Sequence, residues 1–333
     1  MRVSSFCLLF GLLTACDGEQ GKEAAPAGPP LPQLQARRLT SGQKVVLDGT
    51  LSDAAWTAAR DLPLELEGNI TMHLKACYDD ERLYLLATWA DPDLSMNRYW
   101  EYRGQVRWEK HTGEDGFSIC WSPGRLHEKF REQGCALFCH GADDTGKRHV
   151  FPGGGTGYAD FWYWGTQTTA SHPEARDMWL REGDAHRLRG DPQPPESDNL
   201  LNQSAQYSGP RFMPRRVNRR TARILYASNI QELTPEWIRK YWKDGKNVGR
   251  QVPLDILRPR RGSRGDVLAR ARHHEGKGYI LELSRALETG NPDDQPLGDP
   301  LIPALFGVAI YNGRDGAGHL ASGPVELRFL PAD

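Results

Sequence analysis

A pair of cysteines followed directly by a histidine carries the clearest chemical signal in the sequence. Three residues separate Cys135 from Cys139, and His140 comes next in the chain. When two thiols add across the vinyl groups of haem, the neighbouring imidazole ligates the iron. The usual spacing is two intervening residues, although a third can loop outward while both sulfurs still reach the ring edge. The spacing therefore predicts a c-type haem, with a small-loop disulfide as the alternative.

Two further cysteines, Cys77 and Cys120, fall on predicted strands. If haem occupies the first pair, these two are left to form one structural disulfide in an oxidising compartment. A zinc site is disfavoured, because the adjacent Cys139 and His140 point in different directions and no second cysteine pair of suitable spacing follows.

A haem also needs a second axial ligand and an apolar wall. His319 ends the run Asp-Gly-Ala-Gly-His, a flexible loop between two predicted strands that can aim a side chain inward. Trp162 and Trp164 belong to the run Phe-Trp-Tyr-Trp, about 20 residues after the cysteine pair. Such aromatic density can line a macrocycle, fill a core or stack on a sugar. We expect these residues to complete the site, with core packing as the competing interpretation of the two tryptophans.

The amino-terminal end predicts export and lipid attachment. Residues 1–15 carry a positive charge at Arg2 and a short apolar run, and they end in Leu-Thr-Ala before Cys16. This ending is typical of the lipobox of bacterial lipoproteins, whose cysteine is acylated. We expect a signal peptide over 1–15 and a lipid anchor at Cys16, with an ordinary signal peptide as the alternative. Asp17 favours retention at the inner membrane, facing the periplasm.

The remaining chain divides into a linker and one large domain. Residues 16–38 are rich in Gly, Ala, Pro and Gln and hold little apolar bulk, which predicts a flexible tether. Residues 39–331 are long enough for one large domain with its own core. A formal net charge of -1 and a pI near 6.8 exclude the strongly basic footprint of a nucleic-acid-binding protein.

Alternating apolar residues predict short strands at both ends of this domain. Residues 70–77 and 83–89 alternate on either side of an Asp-Asp-Glu turn, and residues 267–271 and 279–283 repeat the pattern. Many short strands separated by turns predict a mostly β protein, an antiparallel β-sandwich of the immunoglobulin-like kind. Residues 123–260 predict a long irregular insert with short helices, one of them capped by Thr234 and ending near Gly245.

Taken in order, these segments resemble the haem-binding subunit family shared by ethylbenzene dehydrogenase, dimethylsulfide dehydrogenase and selenate reductase, the cytochrome c-552/DMSO reductase-like haem-binding domains. The resemblance covers most of the mature chain. It is carried by the opening Leu-Asp-Gly-Thr-Leu-Ser-Asp-Ala-Ala-Trp and by the segments that follow it, at residues 47–56, 90–92, 134–140, 159–164, 264–267, 281–285, 306–309 and 322–324.

The resemblance implies a β-sandwich that holds one haem. In the better-known subunits the haem is of the b type, held by a Met before the Trp-x-Trp segment and by a Lys in the final inter-strand loop. This chain has Cys135 to His140 and His319 at the corresponding places, which implies a covalent haem between His140 and His319. Met213, Met96 and His172 are the reserve ligands, and a non-covalent haem b is the alternative cofactor.

Two imidazoles leave no open coordination position, so the resemblance implies electron transfer and not catalysis. The expected partner is a periplasmic redox protein, either a cytochrome or a molybdenum oxidoreductase. The alternative is a carbohydrate-binding module, since residues 48–49 also resemble the opening of the family 9 sugar-binding sandwich and Trp162 with Trp164 could stack on sugar rings. A structural envelope protein with two disulfides is the third interpretation.

Overall fold

The hairpins predicted from alternation are present in the computed structural model. Strands β3 (Ile70–Tyr78) and β4 (Arg82–Ala90) pair antiparallel, with residues 72–78 opposite residues 83–89. The turn between them is held by the Asp79 carboxylate, whose Oδ1 accepts hydrogen bonds from the backbone N–H groups of Glu81 and Arg82 at 2.9 and 2.8 Å. An aspartate that bonds its own chain two and three residues on favours a tight turn. Both strands and the turn are therefore confirmed.

The structure describes residues 30–124, 128–134, 158–170, 172–181, 189–190, 199–216, 223–292, 294–299, 301–313 and 319–331. Residues 31–333 form one compact unit. The other strands are β1 (Gln33–Arg38), β2 (Leu62–Leu66), β5 (Met96–Gly104), β6 (Arg107–Glu114), β7 (Gly116–Trp121), β8 (Tyr158–Gly165), β9 (Arg176–Arg181), β10 (Arg189–Gly190), β11 (Leu200–Leu201), β12 (Phe212–Pro214), β13 (Leu225–Tyr226), β14 (Ile230–Glu232), β15 (Gln251–Pro253), β16 (Asp255–Leu257), β17 (Leu268–His274), β18 (Gly278–Ala286), β19 (Ala304–Tyr311), β20 (His319–Ala321) and β21 (Val325–Phe329). The helices are α1 (Ala54–Ala58), α2 (Glu128–Gln133), α3 (Pro235–Tyr241) and α4 (Asp244–Asn247), with 3-10 turns at Ala227–Asn229 and Gly262–Gly265.

One large sheet forms the body of the molecule, in the order β10-β9-β8-β7-β19-β21-β1-β3-β4-β18-β17, with β20 added to β19 and β2 to β3. Its two halves face each other, because both contribute buried side chains to one cluster, here called the inner core. Representative members are Leu34, Leu74, Leu83, Leu281, Phe117, Trp121, Phe306 and Val308. The two ends of the sheet approach each other where Ala175 N–H donates to the Val267 carbonyl at 2.9 Å. The predicted sandwich is thus confirmed.

Strand β1 corrects the predicted domain boundary. Residues 33–38 were expected in the linker, but they lie between β21 and β3 and pair parallel with both. Leu34 and Ala36 are fully buried within the inner core, and the residues that alternate with them are polar. This pattern is that of a half-buried strand. The domain therefore begins near Leu31, and the sandwich contains parallel as well as antiparallel pairs.

The described part of the insert packs on the β5–β6 hairpin that precedes it in the chain. Strands β5 and β6, with β15 of the insert, form a separate three-stranded sheet, covered on one side by α3. Thr234 caps α3, accepting a hydrogen bond from Trp237 N–H at 3.1 Å, as predicted. The helix ends at Tyr241 and not near Gly245, which lies in α4. Buried aromatic residues of the hairpin and the insert, Trp100, Tyr102 and Trp242 among them, form a small shared core, here called the core of the insert.

Within the part of the chain that the structure describes, every helix is too short or too polar to cross a bilayer.

Candidate functional site

The start of the cysteine segment is fixed against the last inter-strand turn. Cys135, Cys139 and His140 lie outside the described residues, but Gly134, which precedes them, closes α2 through a 2.7 Å hydrogen bond from its N–H to the Phe130 carbonyl. Gly134 has a φ of +61°, and a Cβ there would lie 3.2 Å from Pro324 N. Glycine is needed at such a helix end, and it lets α2 approach Pro324 closely. Gly134, the last described residue before the motif, therefore lies next to the turn that follows β20.

His319 lies at the beginning of β20, the strand that precedes this turn. It is directly opposite Tyr311 of β19, and the two rings are 5.3 Å apart. The Tyr311 ring also meets the Tyr163 ring edge-on at 5.4 Å. His319 is half-buried, so its imidazole keeps access to the surface. These contacts place His319 on one side of the sheet, together with two tyrosines.

The same side of the sheet carries an apolar cluster, here called the outer cluster. Its members are Cys120, Phe130, Ala159, Phe161, Met178, Leu305, Ala309 and Ala321. Because side chains alternate across a strand, Ala321 shares its face with His319, and Ala309 shares its face with Tyr311. The outer cluster is therefore continuous with the histidine. It also reaches Phe130 of α2, the helix that leads into Cys135.

Trp162 and Trp164 lie on the opposite face of β8. Trp162 is 1% exposed and packs on Trp121, with ring centroids 5.2 Å apart, while Trp164 meets Tyr279 at 5.6 Å. Both indoles belong to the inner core. This position agrees with the competing interpretation of the two tryptophans, core packing, because the inner core lies on the face of β8 that is turned away from His319. The residues that face the side of His319 are their neighbours Phe161 and Tyr163.

A buried carboxylate fixes Tyr163. The Tyr163 hydroxyl donates to Glu114 Oε1 at 3.1 Å, and Glu114 Oε2 accepts the backbone N–H groups of Gln167 and Thr168 at 2.8 and 2.9 Å. Burial raises the pKa of the Glu114 carboxyl above its ordinary value. Burial, followed by the charge of Glu114, raises the pKa of Tyr163 as well. Tyr163 is thus a protonated donor held in one position beneath Tyr311.

A second buried network lies at the inner end of β8. Arg285, fully buried, donates to Asp160 Oδ2 and lies over the Trp162 ring at 4.8 Å. Asp177 and Asp294 are close by, with carboxylate oxygens of the three aspartates within 4.8 Å of one another. Burial raises the pKa of Asp160 to about 6. The sequence analysis did not predict this network or the role of Glu114. A signal was present, because Asp160, Trp162 and Trp164 alternate along β8 and therefore share one face of the strand.

The structure corrects the proposed disulfide. Cys77 lies against α1 in a cluster with Trp56 and Leu86, whereas Cys120 belongs to the outer cluster. Neither thiol takes part in a disulfide. Of the reserve ligands, Met213 is buried in the core of the insert and Met96 begins β5. His172 lies in the short segment before β9.

Comparisons with known proteins give a family and a distant fold likeness. Three solved structures show the likeness: the family 9 carbohydrate-binding modules of Caldicellulosiruptor kristjanssonii in complex with cellotriose and with glucose, and a putative carbohydrate-binding protein from Bacteroides uniformis. Their identities to this chain are 10%, 9% and 7%, with TM-scores of 0.35, 0.36 and 0.36. Each covers 90% of this chain, and the matches span 95%, 98% and 100% of the other chains. No curated protein matches the sequence.

The family comparison is more specific. The family model described as ethylbenzene dehydrogenase matches residues 57–321, a range that runs from α1 to the end of β20. It includes the cysteine segment, the whole of β8 and His319. Since this range is most of the 333 residues, the chain belongs to the ethylbenzene dehydrogenase family.

Proposed function

We propose that this protein is a haem-binding electron-transfer subunit that passes single electrons to or from a periplasmic redox enzyme. The observation that carries the proposal is the common side of the sheet that α2, the outer cluster and His319 share. Membership of the ethylbenzene dehydrogenase family is compatible with an accessory, non-catalytic subunit of an oxidoreductase complex. A molybdenum enzyme of the DMSO reductase type is the partner that this membership favours.

The donor set suits haem. Cys135 and Cys139 would attach the porphyrin, and His140 and His319 would be the axial ligands. When bound, haem supplies an iron centre that accepts and releases one electron. His319 begins a strand paired with β19, so its backbone is positioned before any cofactor binds. Phe161, Phe130 and Met178 are each 3% exposed or less and exclude water from the sheet side of the site.

The chain's own residues would fix the orientation of the distal imidazole. Tyr311 contacts the His319 ring on one side and the Tyr163 ring on the other. Tyr163 in turn is held by Glu114, which accepts three further hydrogen bonds from Gln167 and Thr168. Residues beyond the ligands commonly tune a metal centre in this way. The Glu114–Tyr163–Tyr311 series therefore positions His319.

The location follows from the same proposal. A signal peptide over residues 1–15 would direct export of the chain. A lipid at Cys16 would then hold the domain at the periplasmic face of the inner membrane. Labelling with a radioactive fatty acid tests the anchor: we expect the label on the natural chain and its loss with Cys16→Ser.

The two residues that the carbohydrate-binding alternative needs are buried. It required Trp162 and Trp164 to stack on sugar rings, and both are buried in the inner core at 1% and 9% exposure. An aromatic ring that binds a sugar must offer a face to solvent. No described feature of the site favours this second function.

The proposal is tested by haem analysis of the full chain, expressed in a host competent for cytochrome c maturation. We expect a haem absorbance that stays with the denatured polypeptide after acid-acetone extraction. The double variant Cys135→Ser/Cys139→Ser should convert it to extractable haem. A protein that folds and carries no haem at all would overturn the proposal, and extractable haem in the natural chain would replace the c type with the b type.

The axial ligand is tested separately. His319→Ala should abolish the low-spin spectrum, whereas His274→Ala, which changes an exposed histidine on β17, should leave it unchanged. His319→Met should restore a low-spin haem and raise its reduction potential. If His319→Ala keeps the natural spectrum, a different residue is the ligand.

A further inference from the structure

The insert carries a strongly basic surface that the proposed electron transfer does not use. Between Pro235 and Arg250 the sequence holds five cationic residues and two acidic ones, in a chain whose net charge is -1. The cationic residues, all exposed, are Arg239, Lys240, Lys243, Lys246 and Arg250. They lie on α3, α4 and the turn after α4, here called the basic surface. The charge is therefore local and outward-facing.

Most of these charges are not neutralised by the protein. Among the described residues, Arg239 pairs with Glu236 at 3.7 Å, both well exposed, while Lys240, Lys243, Lys246 and Arg250 have no carboxylate within ion-pair distance. The other acid of the segment, Asp244, accepts hydrogen bonds from Tyr102 and from Gln105 N–H at 2.9 and 3.1 Å. Four cations thus face solvent together, which favours an anionic partner.

Apolar side chains stand among these cations. Tyr241 is 54% exposed and Val248 is 53% exposed. Tyr241 packs on Trp237 at 4.9 Å, and the Lys240 ammonium lies 5.1 Å above the Tyr241 ring. A tyrosine ring with a polar tip, flanked by lysines, suits the boundary between lipid headgroups and acyl chains.

A recess adjoins the basic surface on the side of β15. It has a volume of about 310 Å³ and is lined by Met213, Pro214, Arg223, Gly249, Arg250 and Gln251. Two arginines line this recess, and a guanidinium group can bind a phosphate through paired hydrogen bonds. The Arg250 guanidinium lies 4.9 Å above the Trp242 ring, so its position is partly fixed by the fold.

We propose that the basic surface docks on a bilayer of anionic phospholipids, with headgroup phosphates at the recess and Tyr241 and Val248 at the acyl boundary. Charge complementarity and exposed apolar side chains together favour a lipid surface over an acidic protein. The interaction does not depend on haem. It would act with a lipid at Cys16, because a single weak membrane signal gives reversible binding and two together give stable attachment.

The test is vesicle co-sedimentation of the mature chain, residues 16–333, with Cys16→Ser to remove the acyl acceptor. Vesicles of phosphatidylcholine with 30% phosphatidylglycerol are compared with pure phosphatidylcholine, at about 50 and 500 mM salt. We expect binding to the anionic vesicles alone, weakened by salt. Lys240→Gln/Lys243→Gln/Lys246→Gln should weaken binding by about fivefold for each charge removed. Tyr241→Ser/Val248→Ser should weaken the binding that persists at high salt.

A matched control removes the same net charge elsewhere. Arg270→Gln/Arg272→Gln/Lys277→Gln changes three exposed residues of the β17–β18 hairpin, and we expect anionic-vesicle binding close to that of the natural sequence. If both triple variants lost vesicle binding equally, the proposed docking surface would be overturned, because the net charge of the protein alone would explain the binding. Inorganic phosphate that binds at Arg223 and Arg250 without any vesicle binding would replace it with a small-anion site. An acidic polypeptide that binds where vesicles do not would also overturn it.

Discussion

The two faces of strand β8 use one aromatic run in two different ways. Trp162 and Trp164 point into the inner core, where Trp121, Phe306 and Tyr279 surround them. Phe161 and Tyr163 point outward to the cluster that reaches Phe130 and Ala321. The inner face is complete within the protein, whereas the outer face leads to His319 and to the start of the cysteine segment. Density of aromatic residues therefore does not separate the two faces of β8, but their alternation does.

Charge separates the two faces as well. The inner end of β8 buries Asp160 beside Arg285, with Asp177 and Asp294 close by. The outer face instead presents a protonated tyrosine, fixed by Glu114. The inner charges stabilise the sandwich, and the outer hydroxyl orients aromatic rings near His319.

The largest effect is expected from Arg285→Ala. This change leaves Asp160 buried without its cation and also removes the guanidinium from the Trp162 ring. Breaking one partner of a buried pair costs about 3–5 kcal/mol. Urea denaturation should show this loss of unfolding free energy. A matched double variant, Asp160→Leu/Arg285→Met, should recover only part of it, because Asp177 and Asp294 stay buried beside the site without the cation. A single-variant loss below about 1 kcal/mol would contradict a role for the pair in stability.

The next effect comes from changing one face of β8 at a time. Trp162→Ala should lower the unfolding free energy by about 3–4 kcal/mol, because it opens a cavity in the inner core. Its haem spectrum, measured on the folded fraction, should stay natural. Phe161→Ala should also cost about 3–4 kcal/mol and, with haem bound as proposed, should shift the haem absorbance or reduction potential. A spectral change with Trp162→Ala and none with Phe161→Ala would reverse the assignment of the two faces.

A smaller effect on the unfolding free energy is expected from the titration of one buried carboxyl, that of Asp91. Burial, followed by the charge of Asp115, raises the pKa of Asp91 to about 6. A carboxyl with a raised folded pKa contributes stability below its unfolded pKa, near 4, and that contribution is lost as pH rises through 6. The difference in unfolding free energy between Asp91→Asn and the natural protein should therefore grow by about 2–3 kcal/mol from pH 4 to pH 7. A difference that stays constant from pH 4 to pH 7 would contradict this effect of burial on Asp91.

The sequence predicted the sandwich because alternation is a local signal. The residues 70–90 hairpin and the β17–β18 hairpin follow from it directly. Strand β1 was missed, because its pairing with β21 and β3 joins residues separated by some 290 and 40 positions and leaves only six residues with a weak pattern. His319 could be singled out by its loop. Tyr311 and Glu114 could not, since their contacts depend on how distant strands align.

The last prediction concerns the reactivity of two buried thiols and not the stability of the fold. Cys77 is 1% exposed beside α1, and burial, followed by the charge of Asp79, raises its pKa to about 12. Since the thiolate is the species that reacts, the raised pKa alone should slow alkylation at pH 8 by a factor on the order of 1000. Mass mapping after iodoacetamide treatment should find Cys77 unmodified in the folded protein and modified in guanidinium. The same map under non-reducing conditions should contain no Cys77–Cys120 peptide, because the two thiols belong to separate clusters. A cross-linked peptide would mean that parity among the cysteines was a better guide than their positions on β3 and β7.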